Sequence, residues 1–282
     1  MISFDLPSPD TLRLSVLFVL ASVLLHACQP TPIEPIPEQR PPVDPVQHEH
    51  EHEPKSEPKS EHKSELTRNA PLKPIELPSG IVVDREAREV VVPAFVSIDV
   101  GWLEQVVCVR NTRDHEAILV VDVLPSQVHA ALVLLGLDSG TPGYWRFEEM
   151  EGEIRPRVSR MQPEGDQVRV TVRRVSGDRT SDEPISSWIV NAEDAGDFTE
   201  QPWVFGGSTF VRFTPDGPER YSADQSGSLV GLVTFGDEVL GLRGVRSDQV
   251  DVDAALWGVR TNVVPGPGTR VELILAPWAE DD

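Results

Sequence analysis

An abrupt change of composition near residue 80 limits where this chain can fold. Residues 28–79 hold 12 of the 26 prolines, few aliphatic side chains and no Phe, Trp or Tyr. A segment with so little apolar surface to bury cannot offset its conformational entropy, so we expect it to remain extended or disordered. The folded part is therefore expected in residues 80–282, since about 200 residues suffice for a full hydrophobic core. A single domain is preferred, and a break near residues 176–184 is the alternative.

The N-terminal 27 residues are typical of an export signal. The twelve residues from Leu14 to Leu25 are apolar except for Ser15 and Ser22. This run is shorter than the roughly 20 residues that span a bilayer, and it fits the apolar region of a secretory signal peptide, about 7–15 residues long. Residues 1–27 are therefore predicted to be a signal peptide.

The four residues Leu25-His26-Ala27-Cys28 resemble the bacterial lipobox. The resemblance implies that Cys28 becomes the mature N-terminus and carries acyl chains that anchor the protein in a lipid bilayer. Two or three acyl chains together give a stable anchor, because each buried CH₂ contributes about 0.8 kcal/mol. Gln29 follows the cysteine where Asp would favour the inner membrane. By analogy with enterobacterial sorting, this implies the outer membrane, facing the periplasm or the cell surface.

Residues 28–79 are then interpreted as a spacer between the anchor and the domain. In a polyproline conformation, at about 3 Å per residue, the spacer would reach on the order of 150 Å. His48, His50 and His52 alternate with glutamates within it, and imidazole with carboxylate could bind Zn²⁺, Ni²⁺ or Cu²⁺. A disordered chain must become ordered to hold a metal, so we expect these histidines to be solvated, with weak metal binding as the alternative.

Charge and cysteine content exclude several classes of protein. The chain has 25 basic and 46 acidic residues, a formal net charge of −21. Nucleic acids and anionic membrane surfaces select clusters of Lys and Arg, so nucleic acid is excluded as a partner. Two cysteines without a CxxC pair exclude a disulfide framework and a cysteine-bound metal cluster. Cys108 lies in an aliphatic run and is predicted to be a small buried hydrophobe, with a reactive thiol as the alternative.

The predicted fold class is α+β and strand-rich, with a mainly antiparallel sheet. Runs rich in β-branched residues cover 90–98, 103–109 and 117–123. The last two flank a polar segment at 110–114, which predicts a β-hairpin. Further strands are expected at 167–175, 185–191, 209–214, 229–235, 238–242, 255–259 and 269–275.

One short buried helix is expected at about 126–136. Ser126 is a favourable N-cap residue and Gly136 a favourable residue just past the C-terminus. From Val128 to Leu135 the segment is apolar except at His129, which favours deep burial. Later in the chain, Gly206 and Gly207 follow an aromatic strand, and they could serve either a tight turn or the close approach of backbone to a ligand.

The order of several sequence motifs resembles the YdjY domain family. The matching runs are GIVVDREAREVVVPAFV, GWLEQVVCV and DHEAILVVDVLPSQVHAALVLLGLDSGTPG, followed by WVFGGSTFV at 203–211, YSADQSGSLVGLVTFGDEVL at 221–240 and VPGPGTRVELILAP at 264–277. The resemblance covers most of residues 80–277, and it implies no assigned biochemical activity. Some members of the family are associated with ferredoxin-type iron–sulfur segments, but this chain lacks the cysteines that such a cluster needs.

Glu104, His115, Glu116 and His129 form the candidate polar or metal site. His115-Glu116 lacks the second histidine of an HExxH zinc motif, so a metalloprotease is not expected. Convergence of these side chains would suit zinc binding or acid–base chemistry. The preferred interpretation is that His129 is a buried neutral imidazole held by hydrogen bonds, because an unsatisfied buried polar group costs about 1–3 kcal/mol. No cofactor is expected, and Zn²⁺ is the alternative.

These observations lead to three functional hypotheses. The leading one is an envelope lipoprotein whose domain binds a ligand or an envelope protein partner without catalysis. The second is a metal-binding protein or metal-dependent enzyme built on His115, Glu116 and His129. The third, implied only by the ferredoxin-associated relatives, is an accessory of an envelope redox system. Catalytic residues are not assigned.

Overall fold

The structure is a computed structural model that describes residues 72–150, 156–177, 179–191, 195–247, 252–253 and 257–279. The signal peptide, Cys28 and the three spacer histidines predicted above lie outside these residues. Among the residues that are described, neither helix has the length and apolar character needed to cross a bilayer.

The described chain is built mainly from strands. The strands are β1 (Ile75–Glu76), β2 (Val82–Asp84), β3 (Glu89–Val96), β4 (Gln105–Val109), β5 (Ala117–Val121), β6 (Ser139–Thr141), β7 (Tyr144–Glu148), β8 (Arg157–Met161), β9 (Glu164–Gly165), β10 (Gln167–Ser176), β11 (Arg179–Pro184), β12 (Ile189–Asn191), β13 (Trp203–Val204), β14 (Phe210–Val211), β15 (Arg220–Tyr221), β16 (Ser228–Gly231), β17 (Gly241–Leu242), β18 (Trp257–Val259) and β19 (Arg270–Pro277). The helices are α1 (Pro125–Leu135) and α2 (Ser222–Ser226), and short 3₁₀ turns occur at Asp114–Glu116 and Ile185–Trp188.

Eleven of these strands form one large sheet. Its main order is β16-β4-β5-β3-β19-β10-β13-β17, with β2 and β1 added beside β3 and β11 added beside β10. Strand β3 alternates between partly exposed and buried positions, so its Val90, Val92 and Ala94 enter the core, as the two-residue period of a strand requires. The fold is therefore strand-rich α+β, as predicted.

The predicted hairpin of β4 and β5 is wrong, because the two strands run parallel. Their register pairs Gln105 with Ala117 and Val109 with Val121, while β5 pairs antiparallel with β3 on its other side. Residues 110–116 return along β4 through a turn at Asn111, where φ is 64°, and the 3₁₀ turn. Both strands are buried on both faces, the burial that gives parallel strands continuous apolar runs. The sheet is consequently mixed, although mostly antiparallel.

The predicted short helix is present as α1. Gly136 ends it with φ at 98°, a left-handed conformation that a residue without Cβ adopts at little cost. The N-cap position belongs to Leu124, and Ser126 lies inside the first turn. Burial is confined to one face, because Val133 and Leu134 are 49% and 40% exposed. The expectation of a helix buried on every side is therefore wrong.

Two boundaries considered in the sequence fall within the fold. Strand β1 pairs antiparallel with β2, although residues 75–76 were assigned to the spacer. The segment 176–184, the alternative domain break, contains β11, which pairs with β10 over six residue pairs from Thr171↔Pro184 to Ser176↔Arg179. Strand β11 therefore belongs to the sheet as an antiparallel partner of β10.

Candidate functional site

His115 and Glu116 lie next to each other on the surface. They occupy the 3₁₀ turn before β5, which breaks the strand alternation that would send them to opposite faces. His115 Nε2 is 3.7 Å from Glu116 Oε1, and the His115 side chain is 72% exposed. Glu104 joins this turn through its backbone, because its N–H donates to the carbonyl oxygen of Glu116 at 3.1 Å.

His129 has a different partner. Its Nδ1 lies 2.8 Å from the hydroxyl oxygen of Tyr221, and its ring packs edge-on against Phe205 at 4.9 Å between ring centroids. Burial lowers the pKa of His129 and raises the pKa of Tyr221. Both groups are therefore neutral near pH 7, and the contact is a hydrogen bond between a neutral imidazole and a phenol.

The described residues contain no group of three or more His, Cys, Asp or Glu side chains placed to hold a metal ion. Within that part of the chain, the structure brings together His115 and Glu116, and it pairs His129 with Tyr221. Glu104, the fourth candidate, meets the turn through its main chain.

Gly206 and Gly207 accommodate the chain itself. Gly207 has φ at +67°, and a Cβ there would lie 2.8 Å from Cε1 of His129. A Cβ on Gly206 would lie 2.7 Å from Cα of Pro142. The Gly pair thus makes room for α1 and for the segment before β7.

Cys108 is a fully buried, free thiol. Burial raises its pKa, despite hydrogen bonds from Thr112 and Arg113 that act in the other direction. Since the thiolate is the reactive form of cysteine, this environment opposes redox or nucleophilic chemistry. The prediction that Cys108 is a buried hydrophobe is confirmed.

An aromatic cleft of about 580 Å³ lies between the β7–β8 hairpin and residues 234–235. In the register of the hairpin, Trp145 is opposite Arg160 and Phe147 is opposite Val158. Because alternate residues of a strand share a face, these four side chains lie on one face of the hairpin. They line the cleft together with Thr234, Phe235, Ser247 and Val252.

The apolar surface of the cleft is incompletely covered. Phe147 is 65% exposed and Val158 is 49% exposed. Phe235 forms the opposite wall, and the guanidinium of Arg113 stacks on its ring at 3.6 Å from the centroid. We refer to residues 234–237 as the Phe235 wall.

An ion pair holds one end of the cleft. Arg160 stacks over Trp145 at 4.9 Å and donates to Oδ1 of Asp253 at 2.8 Å. Desolvation acts to raise the pKa of Asp253, but the N–H of Ser247 and the charge of Arg160 outweigh it and lower the pKa. Arg160 is thus engaged with the protein, and the remainder of the cleft is mainly apolar.

A buried glutamate lies behind the Phe235 wall. Glu238 is 2% exposed, and its Oε2 accepts hydrogen bonds from the N–H groups of Phe235, Gly236 and Asp237 at 3.1, 2.9 and 3.2 Å. Burial raises the pKa of Glu238 to about 7, the charge of Asp237 adds to the rise, and the N–H donors oppose it. This carboxyl group is therefore harder to ionise than an exposed glutamate.

Sequence reasoning missed both the cleft and Glu238. Apolar residues alternate with polar ones at Trp145, Phe147 and Val158, which is a strand signal, but neither β7 nor β8 was predicted. Nothing local distinguishes Glu238 from an exposed acid in a turn. The available clue was its position between Gly231 and Gly241, two residues without side chains.

In the described residues, the fold and the cleft define a class: a strand-rich domain with a mixed, mostly antiparallel sheet, two helices and an aromatic surface cleft. A family model described as the YdjY domain matches residues 81–276. The chain therefore belongs to the YdjY domain family, and both walls of the cleft lie within the matched region. No curated protein and no solved structure matches the chain significantly.

Proposed function

We propose that this protein is a lipid-anchored component of the bacterial cell envelope whose YdjY domain binds an apolar or aromatic group in the aromatic cleft. The ligand would be a small molecule or a side chain of an envelope protein partner, and binding would occur without catalysis. The observation that carries the proposal is the partly uncovered wall of Trp145, Phe147 and Val158 facing Phe235.

The cleft has the dimensions and the chemistry of a binding site. Ligand pockets typically measure about 300–1,000 Å³ and combine an apolar lining with a few polar groups. The cleft is about 580 Å³, and its polar groups include Arg160, Thr234 and Ser247. Leaving apolar side chains in water costs roughly 25 cal/mol per Å², so a ligand that covers Phe147 and Val158 gains free energy from this surface.

The lipid anchor rests on the sequence of residues 14–28. To test the anchor, the full chain is expressed in a Gram-negative host. Detergent phase partition and mass spectrometry of the N-terminal peptide then show whether the protein is acylated. We expect acylated Cys28 in the membrane fraction, and we expect Cys28→Ala to abolish acylation and detergent partition. An unmodified Cys28, or equal partition of both forms, would refute the anchor.

The cleft is tested with the fluorescent probe 1-anilinonaphthalene-8-sulfonate, which carries an aromatic ring system. The experiment uses the full chain with Cys28→Ala, so that neither acyl chains nor detergent compete for the probe. We expect Phe147→Ala to weaken probe binding about tenfold, the equivalent of about 1.4 kcal/mol.

Phe213→Ala is the matched control. Phe213 is 68% exposed, close to the 65% of Phe147, but it follows β14 and does not line the cleft. This control variant should retain wild-type probe affinity. Equal loss in both variants would show that the probe reports exposed aromatic surface in general, and the binding role of the cleft would then be rejected.

A further inference from the structure

The guanidinium of Arg113 lies on the cleft wall without a charge partner. Six arginines of the described chain stack over aromatic rings. Four of them also form an ion pair with an acid: Arg110 with Asp122, Arg160 with Asp253, Arg169 with Glu200 and Arg174 with Glu183. Arg146 donates to the hydroxyl oxygen of Tyr144. Among the described residues, Arg113 is the one arginine of this set whose side chain has a ring contact and no polar partner.

The main chain fixes Arg113 beside the cleft. It is the N-cap residue of the 3₁₀ turn Asp114–Glu116, and its carbonyl oxygen accepts from the N–H of Glu116 at 3.1 Å. Its guanidinium lies 3.6 Å from the centroid of the Phe235 ring, and that ring lines the cleft. A ligand that contacts the Phe235 ring therefore lies close to a positive charge that no described acid neutralises.

The described lining of the cleft also suits an anion. None of the described lining residues is acidic, although the chain has 46 acidic and 25 basic residues. Thr234 and Ser247 add hydroxyl groups that can donate hydrogen bonds. Arg160 is the charged residue of this lining, and Asp253 compensates its charge. Arg113 is therefore the group at the cleft that can supply a free positive charge to a ligand.

We propose that the ligand of the cleft is a small aromatic molecule with an anionic group, such as a carboxylate, and that Arg113 binds this group. The aromatic part would cover Phe147 and Val158, and the anion would lie at the Phe235 wall. A volume of about 580 Å³ is that of a small-molecule pocket, which favours a small molecule over a segment of a partner protein. The proposal rests on the proposed function, since it names the ligand class of the same cleft.

The test uses two probes that differ by one charged group. The first is 1-anilinonaphthalene-8-sulfonate, and the second is N-phenyl-1-naphthylamine, which has the same ring system without the sulfonate. Both are titrated into the full chain with Cys28→Ala. Because a charge-assisted contact to the guanidinium is lost, we expect Arg113→Gln to weaken binding of the sulfonate about tenfold. The affinity for the neutral probe should change by less than about twofold.

Arg146→Gln is the matched control, because it removes the same charge from the chain. Arg146 lies between Trp145 and Phe147 in β7, so its side chain is on the opposite face of the hairpin from theirs. This variant should bind both probes with wild-type affinity. An equal loss of sulfonate affinity in Arg113→Gln and Arg146→Gln would show an effect of net charge alone and would overturn the proposal.

A salt titration with Arg113 intact decides the question if Arg113→Gln fails to fold. Between about 0.01 M and about 1 M NaCl the Debye length falls from about 30 Å to about 3 Å. The dissociation constant of the sulfonate, relative to that of the neutral probe, should rise at least about threefold over this range. Screening of the net charge of −21 would act in the opposite direction, because that charge repels an anion. A ratio that stays constant or falls would contradict binding of the anion at Arg113.

The neutral probe separates this inference from the proposed function. If it binds and Phe147→Ala weakens its binding, while Arg113→Gln leaves the sulfonate affinity unchanged, the anion specificity is refuted and the binding role stands. The cleft would then take an uncharged apolar group, such as a side chain of a partner protein. If neither probe binds in the cleft, the proposed function is refuted, and the ligand class with it.

Discussion

Replacement of Glu238 by glutamine should remove a specific part of the pH dependence of stability. Burial raises the pKa of Glu238 from 4.5 to about 7 in the folded protein. A carboxyl whose pKa is raised by folding contributes stability that is complete below its unfolded pKa and is lost as pH rises through its folded pKa. This rise in pKa corresponds to about 3 kcal/mol in total, most of which falls between pH 5 and pH 8.

Urea unfolding at pH 5 and pH 8 measures this contribution. The free energy of unfolding of the wild type should fall by about 2–3 kcal/mol more than that of Glu238→Gln over this interval. The absolute stability of the variant is not the test, because the new amide group places an NH₂ where the native site supplies only donors. The other carboxyl groups are common to both proteins and cancel in the difference. Parallel pH profiles for the two proteins would refute the reasoning.

Two further predictions concern buried positions. Gly207→Ala should destabilise the fold by about 2–4 kcal/mol, because the φ of Gly207 is +67° and the new Cβ would lie 2.8 Å from Cε1 of His129. The thermal unfolding of this variant is compared with that of Gly244→Ala, where no atom lies within 4 Å of the new Cβ. Equal melting temperatures of the two variants would contradict the prediction. In the Cys28→Ala chain, Cys108 should resist a thiol reagent at pH 8 and react fully after denaturation, because burial raises the pKa of its thiol. Rapid labelling of the native protein would show an accessible thiolate and contradict this prediction.

The elements that were predicted correctly are those whose signals are local. The helix α1 is encoded by an apolar run that ends at Gly136, and the strand content follows from β-branched runs such as that of β3. The pairing of β4 with β5 was mispredicted because the polar segment between them has the composition of a hairpin turn. The decisive signal was the absence of alternation in both strands, which indicates burial on both faces and so a place inside a sheet.

The contrast between Glu116 and Glu238 shows why the candidate site lay beyond local reasoning. His115-Glu116 places an imidazole beside a carboxylate in the sequence, yet His115 is 72% exposed and its Nε2 lies 3.7 Å from Oε1 of Glu116. Glu238 has an unremarkable sequence context, and its chemistry arises because the folded chain leaves its side chain almost without access to water. The cleft likewise joins Trp145 and Phe235, which lie about 90 residues apart along the chain and meet only in the folded structure. A buried carboxyl group becomes a functional candidate through the cost of its burial, and that cost is a property of tertiary packing that residue types and spacing do not encode.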